Sequence, residues 1–418
     1  MDTVIAAPRA LVNGAITGPT HVRVRAGRII EVCPGPPTGP GRIELLTTGL
    51  LTAGLVDIQV NGAFGVDFAD VDAAALRHVS GRLPGTGVTR FLPTLITAPV
   101  PTLLTQARAV LAAAAALPPQ AGARPIGVHL EGPFLSAARH GVHDPGLMVD
   151  PTPELVEQIL ADAVVAPELR MVTLAPERTH GLAAVRRFAE AGVLVSVGHS
   201  DATAAQTRQA ADAGARMITH LFNAQRGLGH REPGVPGAGL TDPRFSLGLI
   251  ADLAHVAPDV CLLVFTAATG RVVLVTDAVA AAGMPVGSYR LGGADVLLTE
   301  EGVPRAPDGT IAGSALTLDR AVRNIVSLGI DPAVALSAAT VVPADTIGEP
   351  HLGRLAENAV ADLVWWDDDL YPRRVWVDGE VAHEADDADL RLDPMRRLDQ
   401  PDRTAEPSHA EEAVDPVG

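Results

Sequence analysis

Val193-Leu-Val-Ser-Val-Gly-His199 is a short apolar run that ends on a histidine, and Met217-Ile-Thr-His220 is another. Between them lies an alanine-rich, amphipathic stretch over residues 202–213. Continuous β-branched runs separated by helical stretches are typical of a parallel sheet covered by helices. The segment 193–220 therefore predicts a strand–helix–strand unit in which both histidines stand at the carboxyl ends of neighbouring strands.

The same alternation extends in both directions from this unit. Strand-like runs occur at residues 54–60, 87–96, 125–131, 168–175, 192–199, 215–220, 246–252 and 272–277. Helical stretches are predicted at residues 70–83, 99–117, 152–164, 180–191, 202–213, 258–269 and 314–328. Eight strand-like runs, most of them separated by helical stretches, predict an α/β fold, a (β/α)₈ TIM barrel. Residues 223–245 are rich in Gly, Pro and charge, and we interpret them as an ordered functional loop rather than a helix.

The two ends of the chain have a different pattern. Residues 1–52 alternate apolar and polar side chains, as in His21-Val-Arg-Val-Arg25, and residues 351–385 resume that alternation. Period-two alternation is typical of half-buried strands. We predict a small β-sandwich domain formed by both ends, with the barrel of residues 53–350 inserted. Residues 386–418 are acidic and without periodicity, which predicts a disordered tail.

Composition excludes several classes of partner. The formal net charge is −17, which disfavours nucleic acid. No apolar run reaches the length of a membrane span, and the N-terminus lacks the basic start of a secretory signal. The chain has two cysteines, Cys33 and Cys261, in no paired motif. We therefore expect a cytoplasmic protein without a disulfide framework.

The sequence contains no lysine, so all 32 basic residues are arginine. A Schiff-base mechanism, a pyridoxal-phosphate site and a Walker A loop each need a lysine. The same absence excludes a carbamylated lysine that would bridge two metal ions.

Five acid/base or metal-ligand residues occur at or just after the ends of predicted strands: Glu131, His199, His220, His255 and Asp277. Strand ends of a parallel barrel meet at one rim, where catalytic residues lie. Together they indicate a site that holds a metal ion and a reactive water. Taken singly, each is also compatible with a hydrogen-bonded polar residue at the rim.

A series of motifs makes the interpretation more specific. They are Gly54-Leu-Val-Asp-Ile-Gln-Val-Asn-Gly62, His129-Leu-Glu-Gly-Pro-Phe134, Gly198-His-Ser200, Thr219-His-Leu-Phe-Asn-Ala224, Arg231-Glu-Pro-Gly234, Thr276-Asp-Ala278 and Ile311-Ala-Gly-Ser-Ala-Leu316. With these motifs, residues 1–385 resemble the N-acetylglucosamine-6-phosphate deacetylase family of the amidohydrolase superfamily. The resemblance implies hydrolysis of the acetamide of N-acetyl-D-glucosamine 6-phosphate to D-glucosamine 6-phosphate and acetate, in amino-sugar catabolism or cell-wall recycling.

The resemblance also implies roles for the strand-end residues. Glu131, His199 and His220 would hold the metal ion. Asp277 would act as the general acid/base, taking a proton from the water and passing it to the leaving amine. His255 would contact the substrate and stabilise the oxyanion.

The substrate-binding residues implied by the resemblance lie mainly on loops. Arg231 and His143 would bind the phosphate, since a guanidinium fork matches phosphate oxygens. The remaining predicted contacts are Asn223, Ala224, Ile311, Ala312, Gly313, Gln59 and Asn61, together with His255. Three positions depart from the usual family pattern: Gln225, His230 and Leu253. Leu253 stands where the family has glycine, which puts the loop's backbone shape in question.

Gln59 and Asn61 also bear on the number of metal ions. Many amidohydrolases have His-x-His at the end of the first strand, which binds a second metal, whereas this chain has Gln59-Val-Asn61. Amides are poor metal ligands beside imidazole, so we expect one divalent ion per subunit. Zn²⁺ suits the ligands best, and Fe²⁺, Co²⁺ or Mn²⁺ also fit. The family's shared arginine implies a homodimer.

Two alternatives stay open at this point. The chain could deacylate another amide, such as an unphosphorylated acetyl sugar or an N-acyl amino acid. It could also be a catalytically inactive barrel that binds sugars.

Overall fold

A ring of eight parallel strands forms the centre of the molecule in a computed structural model that describes residues 2–385. The predicted disordered tail, residues 386–418, lies outside the described residues. The barrel strands are Leu55–Val60, Val88–Ile96, Val128–Glu131, Leu169–Leu174, Leu194–Val197, Met217–Ile218, Ser246–Ile250 and Val272–Val275. All eight predicted strands are confirmed.

The strands pair in chain order, and the ring closes between the first and the last. Val60 forms a parallel bridge with Ala278, and Asp277 N–H donates to Gln59 O at 2.9 Å. The first strand is buried along its whole length, as expected for a strand packed on both faces. Closure brings the carboxyl ends of all eight strands to one rim.

Helices surround the ring and connect successive strands. Those that confirm the predicted stretches are Ala73–Arg82, Val100–Ala115, Pro153–Leu160, Gly181–Glu190, Ala204–Ala213, Pro258–Ala267 and Leu318–Ser327. Local sequence fixes their ends. Thr203 and Gln206 form a reciprocal capping box, and Gly214 ends that helix in the left-handed conformation with φ 119°. Over residues 2–385, no helix has the length and apolarity needed to cross a membrane.

The interpretation of residues 223–245 as a loop without a helix is wrong in part. Gly234–Thr241 forms a helix although three of its eight residues are glycine. A Cβ at Gly239 would lie 2.4 Å from Ile218 Cδ1, and one at Gly237 would lie 2.2 Å from Pro233 Cβ. Close packing against the sixth strand at Gly239, and against Pro233 at Gly237, therefore selects glycine here and outweighs its low helix propensity.

Three features after the eighth strand are not predicted by the sequence pattern. The first is a small antiparallel sheet, formed by the strands Gly287–Leu291, Ala294–Leu298 and Pro304–Arg305. Two short helices, Pro332–Ser337 and Val341–Thr346, come later. The sheet has a small core of its own, which includes Leu291, Val296 and Leu298.

The chain ends form two further sheets, as expected for the β-sandwich. One is mixed and has four strands, Thr3–Ala7, Thr20–Arg25, Arg28–Pro34 and Arg42–Leu45. The other has six, Ala10–Val12, Ala15–Thr17, Leu50–Ala53, Leu363–Trp366, Pro372–Val377 and Glu380–Glu384. A separate apolar cluster, containing Ile5, Val22 and Trp376, joins them. The domain boundaries at residues 52 and 351 stay a prediction.

Candidate active site

A cavity of about 300 Å³ opens at the carboxyl ends of the barrel strands. Most of the predicted site residues line it: Asn61, Glu131, His143, His199, His220, Asn223, Ala224, His255, Asp277, Ile311 and Gly313. Gln59 and Ala312 are fully buried beside it, and Arg231 is exposed outside it. Barrel closure thus gathers residues that are far apart in the sequence.

Glu131, His199 and His220 converge on one point of this cavity. Glu131 Oε1 lies 3.0 Å from His220 Nε2 and 3.3 Å from His199 Nε2, and the two nitrogens are 3.2 Å apart. All three side chains are buried. Donor atoms held about 2.0–2.1 Å from a tetrahedral Zn²⁺ ion are about 3.3–3.4 Å from one another. The observed spacings match that shell, so the trio fits a metal ion.

The hydrogen bonds and charges around the trio support the same conclusion. His199 Nδ1–H donates to the Arg139 carbonyl oxygen at 3.0 Å, which leaves the Nε2 lone pair facing the trio. Burial opposes ionisation of Glu131, but the neighbouring imidazoles of His199 and His220 hold the pKa of Glu131 well below its usual range. Burial likewise opposes protonation of His220, yet Glu131 raises the pKa of His220. A positive charge is therefore stabilised at this point.

Three of the site residues adopt a left-handed backbone two residues after the end of a barrel strand. The φ angles are 47° for His199, 27° for His220 and 50° for Asp277. Such conformations cost on the order of 1–3 kcal/mol each in residues other than glycine, and they concentrate at functional sites. Here they turn three side chains from the strand direction into the cavity.

Asp277 is held by the two amides at the end of the first strand. Asn61 Nδ2 donates to Asp277 Oδ1 at 2.7 Å, and Gln59 Nε2 donates to the same oxygen at 3.1 Å. Burial, with a smaller contribution from the charge of Glu131, raises the pKa of Asp277 to about 6. A carboxyl group with that pKa can both accept and return a proton near neutral pH.

Gln59 also connects Asp277 to the trio of Glu131, His199 and His220. Its Nε2 lies 3.3 Å from both Glu131 oxygens while it donates to Asp277. The structure therefore places Gln59 behind the two carboxylates, where it orients them, and places Asn61 at the cavity wall.

His255 faces the cavity from the loop after the seventh strand. Asp252 accepts from His255 Nδ1 at 2.6 Å and from the His255 backbone N–H at 2.8 Å. Burial opposes ionisation of Asp252, but His255 outweighs it and lowers the pKa of Asp252. This bond fixes the ring with Nε2 directed away from Asp252. Leu253 has φ 65°, a conformation that glycine adopts at lower cost.

His143 packs against the trio of Glu131, His199 and His220, with its ring centroid 4.4 Å from that of His199. The Thr97 backbone nitrogen and Oγ1 lie 3.4 and 2.8 Å from His143 Nδ1. Burial, and then the charge of His199, lowers the pKa of His143 to about 3. His143 is thus a neutral imidazole. A Cβ at Gly141 would lie 3.2 Å from His199 Cε1, so glycine lets this segment approach the site.

Residues 50–383 match the family described as the Amidohydrolase family. The chain belongs to that family. It is 38% identical over 384 residues to N-acetylgalactosamine-6-phosphate deacetylase of Escherichia coli O157:H7, covering 91% of this chain and all of that relative. It is 37% identical to N-acetylglucosamine-6-phosphate deacetylase of Vibrio furnissii, covering 80% of this chain and 83% of the relative.

Solved structures agree with this amidohydrolase assignment. A D267A mutant of N-acetyl-D-glucosamine-6-phosphate deacetylase from Mycobacterium smegmatis, in complex with N-acetyl-D-glucosamine-6-phosphate, matches with a TM-score of 0.84 and 35% identity. The match covers 91% of this chain and 99% of that one. The Pasteurella multocida deacetylase matches with a TM-score of 0.85, 29% identity and the same coverage. The amidohydrolase barrel with flanking sheets is therefore confirmed.

Sequence reasoning missed the apolar wall of the amidohydrolase cavity. Ile96, Val142, Ile250 and Leu291 line it, together with Thr310. Ile96 and Ile250 end barrel strands, so the strand-end rule that identified the polar residues could have identified them. Leu291 belongs to the unpredicted sheet, and no sequence signal connects it to the site.

Proposed function

We propose that this amidohydrolase removes the acetyl group of N-acetyl-D-glucosamine 6-phosphate by hydrolysis, giving D-glucosamine 6-phosphate and acetate. The observation that carries the proposal is the metal-binding trio of Glu131, His199 and His220 in one cavity with Asp277. Relatives that share most of this chain's length are named for deacetylation of acetylated sugar phosphates.

The residues divide the reaction between them. Asp277 accepts a proton from the attacking water as the new C–O bond forms. His255, as the imidazolium paired through Nδ1 with Asp252, donates a hydrogen bond from Nε2 to the carbonyl oxygen as negative charge develops there. Asp277 then delivers its proton to the nitrogen as the C–N bond breaks, so acetate and a free amine leave.

One divalent metal ion, Zn²⁺ by preference, completes this site. Glu131, His199 and His220 would hold it, and it would supply Lewis-acid activation of the water and the carbonyl. At the end of the first strand, the side-chain amides of Gln59 and Asn61 donate hydrogen bonds to the carboxylates of Glu131 and Asp277. Their amides support a site for one ion rather than two.

The phosphate group needs a cation, and residues 2–385 place no arginine in the cavity. None of the described residues lining the cavity is an arginine, and His143 is neutral. Arg231 is exposed on the loop before the helix Gly234–Thr241. We propose a homodimer in which Arg231 reaches the phosphate bound in the other subunit.

A second candidate substrate is the C4 epimer, N-acetyl-D-galactosamine 6-phosphate. The specific observation is that the Escherichia coli relative named for that sugar is covered over its whole length at 38% identity. The chemistry at the acetamide is unchanged, and only the contacts to the sugar differ. We place the reaction in the cytoplasm, in amino-sugar catabolism or cell-wall recycling.

Acetate release from a panel of amides tests the proposal. We expect metal-loaded protein to hydrolyse an acetylated amino-sugar 6-phosphate, and to prefer it over the unphosphorylated sugar and over N-acetyl amino acids. Comparison of the two epimers assigns the sugar. A chelator should abolish turnover, and Zn²⁺ should restore it. Preference for the free sugar would contradict the phosphate role, and no acetate release from any substrate would favour an inactive sugar-binding barrel.

A further inference from the structure

A second group of metal-ligand side chains lies in the four-stranded sheet formed by the N-terminal part of the chain. An imidazole nitrogen of His21, a carboxylate oxygen of Glu31 and Cys33 Sγ all lie within 4.8 Å of one another. His21 and Cys33 are direct partners across two antiparallel strands, and Glu31 stands two residues from Cys33 on the same face. We call these three residues the His21 cluster.

The cluster faces away from the core of the small domain. Val22 and Val24, which alternate with His21 along the strand, belong to the apolar core between the two sheets. The Pro/Gly-rich segment 34–41 folds back over the opposite face. There the Gly35 carbonyl contacts His21 and the Pro40 carbonyl accepts from Arg23. The cluster is therefore partly enclosed, with an opening at the edge of the sheet.

His21 has a buried ring nitrogen without a partner. The side chain is 2% exposed, and Nδ1–H donates to Gly35 O at 3.1 Å. Among the described residues, no group bonds Nε2. With the proton on Nδ1, Nε2 carries a free lone pair. Buried polar atoms in folded proteins are almost always paired, so an unpartnered nitrogen calls for a ligand.

Glu31 and Cys33 supply the complementary donors. Cys33 S–H donates to Glu31 Oε1 at 3.3 Å, and Arg23 Nε donates to the other oxygen, Oε2, at 2.9 Å. Arg23 thereby fixes the carboxylate and leaves Oε1 directed at the thiol. The Glu31 side chain is 39% exposed, so an ion and a water can reach the group.

We propose that the His21 cluster is a second metal site, which binds a borderline divalent transition ion such as Zn²⁺ through His21, Glu31 and Cys33. Thiolate, imidazole and carboxylate together suit such an ion, and a water would complete a tetrahedral shell. On binding, the Cys33 thiol proton passes to solvent and the thiolate donates its electron pair. The ion would join two neighbouring strands of the four-stranded sheet, and none of its ligands lines the cavity, so it is independent of the proposed catalytic activity.

Cobalt titration distinguishes this site from the barrel site. Full-length protein is stripped of metal, kept reduced with a phosphine, and titrated with Co²⁺. The barrel ligands Glu131, His199 and His220 contain no sulfur, so a thiolate-to-cobalt charge-transfer absorption reports the His21 cluster alone. We expect two bound Co²⁺ ions per chain and a charge-transfer band that saturates with one of them.

Three variants make the result specific. Cys33→Ser should lose the band and one bound ion yet keep acetate release, and Glu31→Gln should weaken the binding that produces the band. Cys261→Ala, which removes the other cysteine, should keep both ions and the band. Absence of the band from wild-type protein at saturating Co²⁺ would overturn the proposal, and so would a band that persists in Cys33→Ser.

Discussion

Asp277 shows how one buried carboxyl group is prepared for proton transfer. Two amides donate to a single oxygen, while burial and the charge of Glu131 raise the pKa of Asp277 to about 6. The left-handed backbone at Asp277 turns the side chain off the strand direction towards the metal-binding trio. The residue therefore combines orientation with a pKa suited to its proposed role.

Replacing this carboxylate tests that role. Asp277→Asn keeps the size of the side chain but cannot accept a proton, so we expect turnover to fall by about 10²- to 10⁴-fold. Metal content should stay unchanged, because Asp277 is not part of the trio. Asp331→Asn is the matched control, since Asn also caps a helix there and activity should survive. Near-normal turnover in Asp277→Asn would refute the acid/base assignment.

Asp57, on the first barrel strand, makes a testable contribution to stability. It is fully buried and accepts from Thr276 Oγ1–H at 2.6 Å, and burial raises the pKa of Asp57 to about 7. The folded state therefore holds this proton more tightly than the unfolded state, where the pKa is 3.8. The stabilisation is complete below pH 3.8 and is lost as the pH rises through about 7.

Asp57→Asn should remove that dependence on pH. An amide has no charge to desolvate, and its NH₂ group can donate to Thr276 Oγ1. As the pH rises between these limits, we expect the free energy of unfolding of the variant to increase relative to that of wild type by roughly 4 kcal/mol. Urea unfolding of both proteins across the range measures the difference. A difference that does not change with pH would contradict the protonated state of Asp57.

Arg90 links the barrel to the small domain through a buried ion pair. It lies on the second barrel strand, and its Nε and Nη2 donate to the two oxygens of Asp362 at 2.6 and 3.0 Å. Asp378 accepts a further bond at 2.5 Å. The side chains of Arg90 and Asp362 are 11% and 3% exposed, so neither charge has water as an alternative partner.

Loss of the Arg90 guanidinium should therefore destabilise the fold strongly. Arg90→Ala leaves the Asp362 carboxylate buried without its cation, and we expect the free energy of unfolding to fall by about 3–5 kcal/mol. Arg9→Ala is the control, because its ion pair with Asp368 is exposed and should contribute less than about 1 kcal/mol. Denaturant unfolding compares the two variants. Equal losses of unfolding free energy in the two variants would show that burial does not determine how strongly these ion pairs stabilise the fold.

In the proposed homodimer, each active site is complete only when Arg231 of the other subunit reaches the phosphate. Arg231→Ala should lower kcat/KM for the phosphorylated sugar by about 10- to 100-fold, the range for a hydrogen bond to a charged group. Rates on the unphosphorylated sugar should change little. Arg208→Ala, another exposed arginine, should have no such effect.

Mixing two defective proteins tests whether Arg231 acts across subunits. In a mixed dimer of Arg231→Ala and Asp277→Asn chains, one cavity has both its own Asp277 and the other subunit's Arg231. After unfolding and refolding of an equal mixture, we expect about one quarter of wild-type activity, since half of the dimers are mixed and each has one complete site. No recovery would place Arg231 in the cavity of its own chain.

Local patterns in the sequence predicted much of this arrangement. The eight barrel strands are short buried runs rich in Val, Leu and Ile, whose packing on both faces leaves a continuous apolar signal. The helix Gly234–Thr241 was not predicted, because glycine there reflects contacts with Ile218 and Pro233 rather than local propensity. The sheet containing Leu291 was not predicted either. Apolar and polar residues alternate only weakly along its strands, and its position beside the cavity is set by tertiary packing.

The sequence by itself determined the barrel and the residue types at its strand ends, because period and composition are local properties. Only the tertiary structure decided which of those residues meet. Gln59 reaches Asp277 across 218 positions because the first and eighth strands close the ring, and it reaches Glu131, at the end of the third strand, across 72 positions. Distances of 3.0–3.3 Å within the metal-binding trio depend on barrel closure and on left-handed residues after the strands, neither of which a linear pattern specifies.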